Sequence, residues 1–271
     1  MKRFEYSCGC SFDLIDENKM AIDFDPINKP FNLECKKTWD LISEGNTKGC
    51  FQLESRLGRS VAKKLKPENI EQLAALISIL RPGCLESVRD GKTVTNHYID
   101  KKNGQESVDY YHKALEESLK TTYGEMIYQE QAMAIATKIA GFNLQEADNL
   151  RKAIGKKKPE EMAKLKKKFI KGAKKLKIVD DHEAEEIFSW IEKSQRYGFN
   201  KSHAAAYAMI SYQTAYLKAN YPVEFIIASI NLEIDNSEKI NNFLQMAKDH
   251  NIKILPADIN KSKALFDLEI I

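Results

Sequence analysis

From Arg151 to Lys177 the chain carries thirteen Lys or Arg residues against two acids, Glu160 and Glu161. Within that stretch Met162, Leu165, Phe169, Ala173 and Leu176 recur every three or four residues. The spacing predicts an amphipathic helix with one narrow buried stripe and lysines on every other side. The chain as a whole has a formal net charge of only +3, so the remainder is acidic on balance. A solvated face is the ordinary fate of a charge run, but here the acids that would pair at i+4 are missing. Near-unpaired like charges repel one another, and a polyanion relieves this. At about 1.5 Å per residue the span 160–177 is roughly 27 Å long, enough for about eight phosphates of one strand. Lys164, Lys167 and Lys171, with Lys156, Lys157 and Lys158 just before them, are the candidate nucleic-acid contacts.

A second stretch, Tyr197-Gly198-Phe199-Asn200-Lys201-Ser202-His203, crowds an amide, a lysine, a hydroxyl and an imidazole in front of a helical pattern. Backbone N–H groups also point outward at a helix start, so the stretch suits an anion. The plainer reading is a loop whose Ser202 or Asn200 caps the helix. The chemistry on offer is anion binding and stacking, not nucleophilic attack. Ser202 and His203 are adjacent on a helix, point about 100° apart, and have no orienting acid nearby. The sequence has no Walker-type loop, zinc-protease motif or nucleophile elbow.

Pro and Gly are sparse, 7 and 12 in 271 residues, which favours long helices. No window has the apolar length of a signal peptide or a membrane span, so the expected location is the cytoplasm. Five cysteines then read as reduced thiols.

Residues 1–34 read as a small β-hairpin segment, with Cys8-Gly9-Cys10 as a tight bend. Cys8, Cys10 and Cys35, with Cys50 as a fourth, are weak candidates for zinc because the spacing is wrong for a structural site. Asp23 and Asp25 alternate as metal-holding carboxylates would, but Pro26 follows at once and a third carboxylate is lacking. From residue 35 the pattern is helical. Phe51-Gln52-Leu53 reads as a short strand-like piece, Pro67 as the first turn of a helix, and Arg81-Pro82-Gly83 as its stop. Residues 84–122 read as an extended loop with a short helix at Ala114–Lys120, and His97 and His112 as surface residues. The helix that follows from the Tyr197 stretch, roughly His203 to Asn220, shows Tyr207, Ile210, Thr214 and Leu217 on one face. Ser237 reads as the cap of a last helix, Ile252–Leu255 as a strand, and 263–271 as a tail.

Several motifs carry a resemblance. Gly49-Cys50-Phe51-Gln52-Leu53-Glu54-Ser55 is followed by Arg81-Pro82-Gly83 and by Tyr128-Gln129-Glu130-Gln131. Next come Ala147-Asp148 and Leu150-Arg151-Lys152-Ala153-Ile154-Gly155-Lys156-Lys157-Lys158-Pro159, then the Tyr197–Tyr207 stretch. Ser211-Tyr212-Gln213-Thr214, Leu217-Lys218-Ala219, Tyr221-Pro222-Val223-Glu224-Phe225 and Leu255-Pro256-Ala257-Asp258-Ile259-Asn260 complete the order. In these pieces residues 35–262 resemble the fingers region of bacterial replicative DNA polymerase III alpha subunits, the C-family polymerases.

The resemblance implies a mainly α, helical fingers domain over 35–262 that binds the incoming deoxynucleoside triphosphate and primer-template DNA. It implies that Arg151 and Lys152 reach phosphates, with Lys156, Lys157 and Lys158 nearby. Tyr197, Asn200, Lys201 and His203 would line the nucleotide pocket, and Gln129 and Gln131 would share its surface. In such polymerases two Mg2+ ions are held by palm aspartates. That aspartate triad does not occur here, and Asp23 and Asp25 do not match it, so a chain of this kind is not expected to be active alone. Cys84 stands where proline is common, and Lys152 where a second arginine is common. The Cys-Gly-Cys start is foreign to the family pattern. A start at Met1 with such a segment suggests a short gene whose palm lies on another polypeptide, a split polymerase. The alternatives are a DNA-binding module without nucleotide selection and a remnant that binds replication proteins.

Overall fold

The computed structural model describes residues 3–5, 11–16, 19–22, 32–155, 159–194 and 198–268. Three short strands come first: β1 (Arg3–Glu5), β2 (Ser11–Asp16) and β3 (Lys19–Ile22). They form an antiparallel sheet in the order β1-β2-β3, with Phe4 opposite Phe12 and Leu14 opposite Ile22. The hairpin expected around residues 8–10 corresponds to the antiparallel pair β1–β2, and β3 adds a strand to it. Cys8, Cys10, Asp23 and Asp25 lie outside the described residues.

Among the described residues the other regular elements are helices, apart from one two-stranded ribbon. In order come α1 (Lys36–Ser43), α2 (Arg56–Leu65), α3 (Ile70–Ile79) and α4 (Pro82–Glu86). The ribbon β4 (Val88–Arg89) and β5 (Lys92–Thr93) leads to α5 (Val94–Lys102) and α6 (Glu116–Leu119). Then follow α7 (Gln129–Ala140), α8 (Leu144–Gly155), α9 (Pro159–Leu176) and α10 (Asp181–Ser194). The last three are α11 (Lys201–Asn220), α12 (Pro222–Leu232) and α13 (Ser237–Asp249). The chain divides into two compact units, one of residues 1–59 with 210–271, the other of residues 60–209.

In the 60–209 unit the core is built on α7, α8, α9 and α10. Ile135, Ile139, Leu150, Phe169, Ile187 and Phe188 are all buried there. Phe169 packs on Phe142 and Phe188 at ring distances of 6.1 and 5.4 Å. The lysine-rich helix α9 thus buries most of the expected stripe: Met162, Phe169 and Ala173 are buried and Leu165 is half-buried, while Leu176, at the helix end, is exposed. Gly172 lets it approach α7 closely, because a Cβ at that position would lie 2.0 Å from the carbonyl oxygen of Ala140. Start signals are satisfied locally: Asp180 Oδ1 accepts from the Glu183 amide at 2.7 Å, and Glu183 answers at the Asp180 amide at 2.8 Å.

Residues 84–122 are not an extended loop. Thr93 caps α5 through the Asn96 amide, and Val94, Tyr98 and Ile99 are buried. His97 is 4% exposed and bonds Glu106 at 2.7 Å and the Arg89 carbonyl at 2.8 Å. Lys101 and Glu125 are also buried, 2.9 Å apart, and Arg89 reaches Glu125 at 2.6 Å. Helices stabilised by buried polar pairs lack the apolar period that marks a helix in sequence. His112 is half-buried and caps the turn at Lys113. Pro67 precedes its helix, and Asn69 is the cap of α3.

In the other unit Trp39 and Ile42 of α1 are buried, and α12 packs on α13 through Ile226, Ile230, Phe243 and Met246. Phe51–Leu53 is a turn rather than a strand, with Gln52 at φ 61°. Asn236, not Ser237, caps α13 through the Lys239 amide. Ile252–Leu255 forms no strand: Ile254 and Leu255 are exposed, and no neighbouring strand pairs with them among the described residues. Cys35 and Cys50 are buried thiols, and burial raises the Cys50 pKa to about 12.

Candidate functional site

The site in the 60–209 unit is assembled by a single parallel bridge between Tyr128 and Phe199. The Phe199 amide donates to the Ile127 carbonyl at 2.8 Å, and the Gln129 amide donates to the Phe199 carbonyl at 2.9 Å. This places the first turn of α7 beside the first turn of α11. Residues some seventy positions apart therefore share one surface.

Asn200 is the cap of α11, since its Oδ1 accepts from the His203 amide at 2.8 Å. Ser202 lies inside the helix and is exposed. Glu130 spans the same helix start. Its carboxylate accepts from Asn200 Nδ2 at 2.8 Å and from the Lys201 amide at 2.9 Å. The position where an anion was expected is thus taken by an internal carboxylate, as the positive end of the helix dipole favours. Lys201 Nζ bonds Glu71 at 3.0 Å and lies 5.6 Å from the Tyr128 ring. Arg81 stacks over Phe199 at 3.8 Å, and His203 packs between Phe199 and Tyr207 at ring distances of 5.3 and 3.9 Å.

Arg151 joins this surface through Gln129, with Nη1 3.5 Å from the Gln129 Oε1. Its guanidinium also forks onto Asp148 at 2.7 and 3.0 Å, and Lys152 meets the other Asp148 oxygen at 2.6 Å. Lys152 and then Arg151 hold the Asp148 carboxyl below the usual carboxylate range. Gln131 belongs elsewhere. It is buried, accepts from the Ile127 and Tyr128 amides, and donates to Thr122 Oγ1 at 2.6 Å, so it shapes the turn and does not face a ligand.

Of the candidate residues, the fold gathers Arg151, Asn200, Lys201 and His203, with Lys152 on the same acid as Arg151. Tyr197, Lys156, Lys157 and Lys158 lie outside the described residues. The residues missed in sequence are Glu130, Glu71 and Arg81, whose side chains reach the site only through the fold.

On α9 the lysines divide into two sets. Lys168 pairs with Glu146 of α8, Lys174 with Asp181 at 3.0 Å, and Lys166 with Glu185 of α10 at 3.9 Å. The acids missing at i+4 are thus supplied by neighbouring helices, and the run is less unpaired than its sequence implies. Lys164, Lys167 and Lys171 are exposed and have no carboxylate within 4 Å among the described residues. No three His, Cys, Asp or Glu side chains converge as a metal site among the described residues. Cys35, the described zinc candidate, is buried beside Asn220, whose Nδ2 is 3.7 Å from its sulfur. No helix among the described residues is long and apolar enough to cross a membrane.

Comparison with known proteins agrees with the helical architecture. Residues 10–177, more than half of the chain, match the model of the bacterial DNA polymerase III alpha subunit finger domain. That match starts inside the stretch read as a separate N-terminal segment. DNA polymerase III subunit alpha of Rickettsia prowazekii is 45% identical over 256 residues, 94% of this chain and 21% of that protein. The Caulobacter vibrioides protein of the same name is 45% identical over 93% of this chain, and that of Thermus aquaticus 42% over 95%. The chain spans about a fifth of the length of these curated relatives. With a matched finger domain over most of its helices and relatives this similar, the chain belongs to the family of the bacterial DNA polymerase III alpha subunit finger domain.

Proposed function

We propose that this chain is the fingers part of a C-family DNA-directed DNA polymerase. In this reading it holds the incoming deoxynucleoside triphosphate and the primer-template during replication, with the palm on another polypeptide. The observation that carries the proposal is the position of Gln129. Its backbone is tied to Phe199, and its side chain reaches Arg151, so the Arg151–Lys152 pair and the Asn200–His203 turn form one cationic surface. Guanidinium and ammonium groups make strong charge-assisted bonds to phosphate oxygens. A triphosphate would displace the carboxylates that now hold them, Asp148 from Arg151 and Lys152 and Glu71 from Lys201. The aromatic column of Phe199, His203 and Tyr207 supplies a surface on which a base can stack. Mg2+ would act in the palm, where it activates the primer 3′ hydroxyl. The described residues of this chain offer no carboxylate cluster for it.

The test is primer extension by the co-purified chain and its palm-bearing partner. The expected result is extension well above that of the palm chain alone, with Lys201→Met raising the KM for nucleotide about tenfold, one charge-assisted bond's worth. No gain over the palm chain alone overturns the proposal.

A second reading, a DNA-binding module without nucleotide selection, is favoured by one observation. Among the described residues Lys164, Lys167 and Lys171 have no carboxylate within 4 Å, whereas the cations of the nucleotide surface are held by carboxylates. If Lys201→Met leaves every nucleotide-dependent readout unchanged while loss of the three lysines abolishes DNA binding, the module reading stands.

A further inference from the structure

Lys218 is 4% exposed near the end of α11, and its ammonium donates to the carbonyls of Asn46 at 2.7 Å and Lys48 at 2.8 Å. An ammonium has three donors, so one remains. No carboxylate lies within 4 Å of it among the described residues. Burial above all holds the Lys218 pKa below its ordinary value; Cys50 opposes this, and the charges of Lys48 and Arg59 add to it. A buried cation is costly without an anionic partner, and two further cations beside it add to that cost.

The same side chain lines a cavity of about 830 Å³ within the 1–59 and 210–271 unit, together with Lys37, Lys48 and Arg59. Five cations, Lys36 and Lys37 with Lys48, Arg59 and Lys218, share that wall with three acids, so it is positive on balance. Asp40 pairs with Lys36, Glu44 accepts from Asn46 Nδ2 at 2.9 Å, and Asp249 accepts from Gln245 Nε2 at 2.9 Å. Lys37, Lys48 and Arg59 have no carboxylate within 4 Å among the described residues. A lysine that merely stapled the loop at Asn46 and Lys48 would gain nothing from these neighbours, which repel it. A bound anion would turn each of those repulsions into an attraction.

We infer that this cavity binds a phosphate group through Lys218, Lys48 and Arg59, as a site separate from the Arg151–Lys201 surface. The phosphate comes either from a nucleic-acid backbone or from a free nucleotide or pyrophosphate. The volume admits a whole nucleotide as well as a lone phosphate.

The test is NMR of the full chain carrying 13Cε-labelled lysine, titrated with pyrophosphate, with dTTP and with a short oligothymidylate. The Lys218 signal is identified by its loss in Lys218→Arg, or, if that variant does not fold, by its buried shift and lowered titration point. The expected result is movement of the Lys218 signal, with its titration point returning toward the ordinary lysine value. In the double variant Lys48→Gln/Arg59→Gln the affinity should fall about tenfold or more. Movement with the oligomer alone assigns a backbone phosphate; movement with pyrophosphate or dTTP assigns a free one. A Lys218 signal unmoved by all three probes, or full affinity in the double variant, overturns the inference. Lys201→Met serves as the control. Loss of the Lys218 response in that variant would show that the probes act through the other surface, and would also overturn it.

Discussion

Glu130 lies across the start of α11 with one carboxylate oxygen 2.8 Å from Asn200 Nδ2 and the other 2.9 Å from the Lys201 amide. A residue at the head of α7 thereby completes the cap that Asn200 begins at the His203 amide. Glu130→Ala removes the acceptor for two donors at once. We expect a loss of about 1–2 kcal/mol, the usual cost of a lost helix cap, read as a lower urea midpoint at unchanged slope. If the stability is unchanged, the carboxylate is not completing the cap.

Asp148 holds both Arg151 and Lys152, so it competes with any phosphate that those side chains bind. Asp148→Asn should release them and tighten nucleotide binding severalfold in the complex with the palm, measured as a lower Kd for dTTP at low salt. The sign for stability is the reverse. Its folded pKa is depressed, so its contribution is present above the unfolded carboxylate value and is lost as pH falls through the folded one. The wild-type chain should therefore lose more stability than Asp148→Asn as the pH falls below about 4. An equal loss in the two proteins would show that the pair does not act in the folded chain.

Gly172→Ala sets two effects against each other. Helix propensity alone favours alanine by about 1 kcal/mol. The new methyl, however, would sit 2.0 Å from the Ala140 carbonyl oxygen, a backbone atom that cannot rotate away. Overpacking of this kind costs about 1–3 kcal/mol, and α7 and α9 would have to separate. We expect net destabilisation in thermal melts; stabilisation would mean that the two helices are free to shift.

Local features of this chain were legible in its sequence, and long-range ones were not. The Asn200–His203 turn could be read because its cap and its cation lie within four residues. Its acids could not, since Glu130 and Glu71 stand about 70 and 130 positions away and become partners only through the Tyr128–Phe199 bridge. The α9 stripe was legible because lysines surround it. α11 misled for the opposite reason. Its polar and apolar residues are spread around the whole circumference, so periodicity marks no face. The buried side is the small-residue one, Ala204, Ala208, Ala215 and Ala219 with Tyr212, while Ile210 is 42% exposed. α5 was missed because it buries His97 and Lys101, which satisfy one another's neighbours rather than the hydrophobic pattern.

Lys164, Lys167 and Lys171 decide whether α9 tracks a phosphate backbone. All three are exposed with no acid partner among the described residues, and spacings of three and four put them on one side of the helix. Replacing all three with Gln leaves the buried stripe of Met162, Phe169 and Ala173 untouched, so the fold should persist. Each phosphate contact on single-stranded DNA contributes about 0.7 to the slope of log K against log salt. Loss of three should reduce the magnitude of that slope by about 2 and weaken binding uniformly across sequences. By contrast Lys168→Gln, whose partner is Glu146, should change the slope little, because the lysine is already neutralised within the chain. Fluorescence anisotropy with labelled oligonucleotides at several salt concentrations measures both. A slope that the triple variant leaves intact would assign DNA binding to another face, and α9 would then be a solvated helix whose charges serve solubility alone.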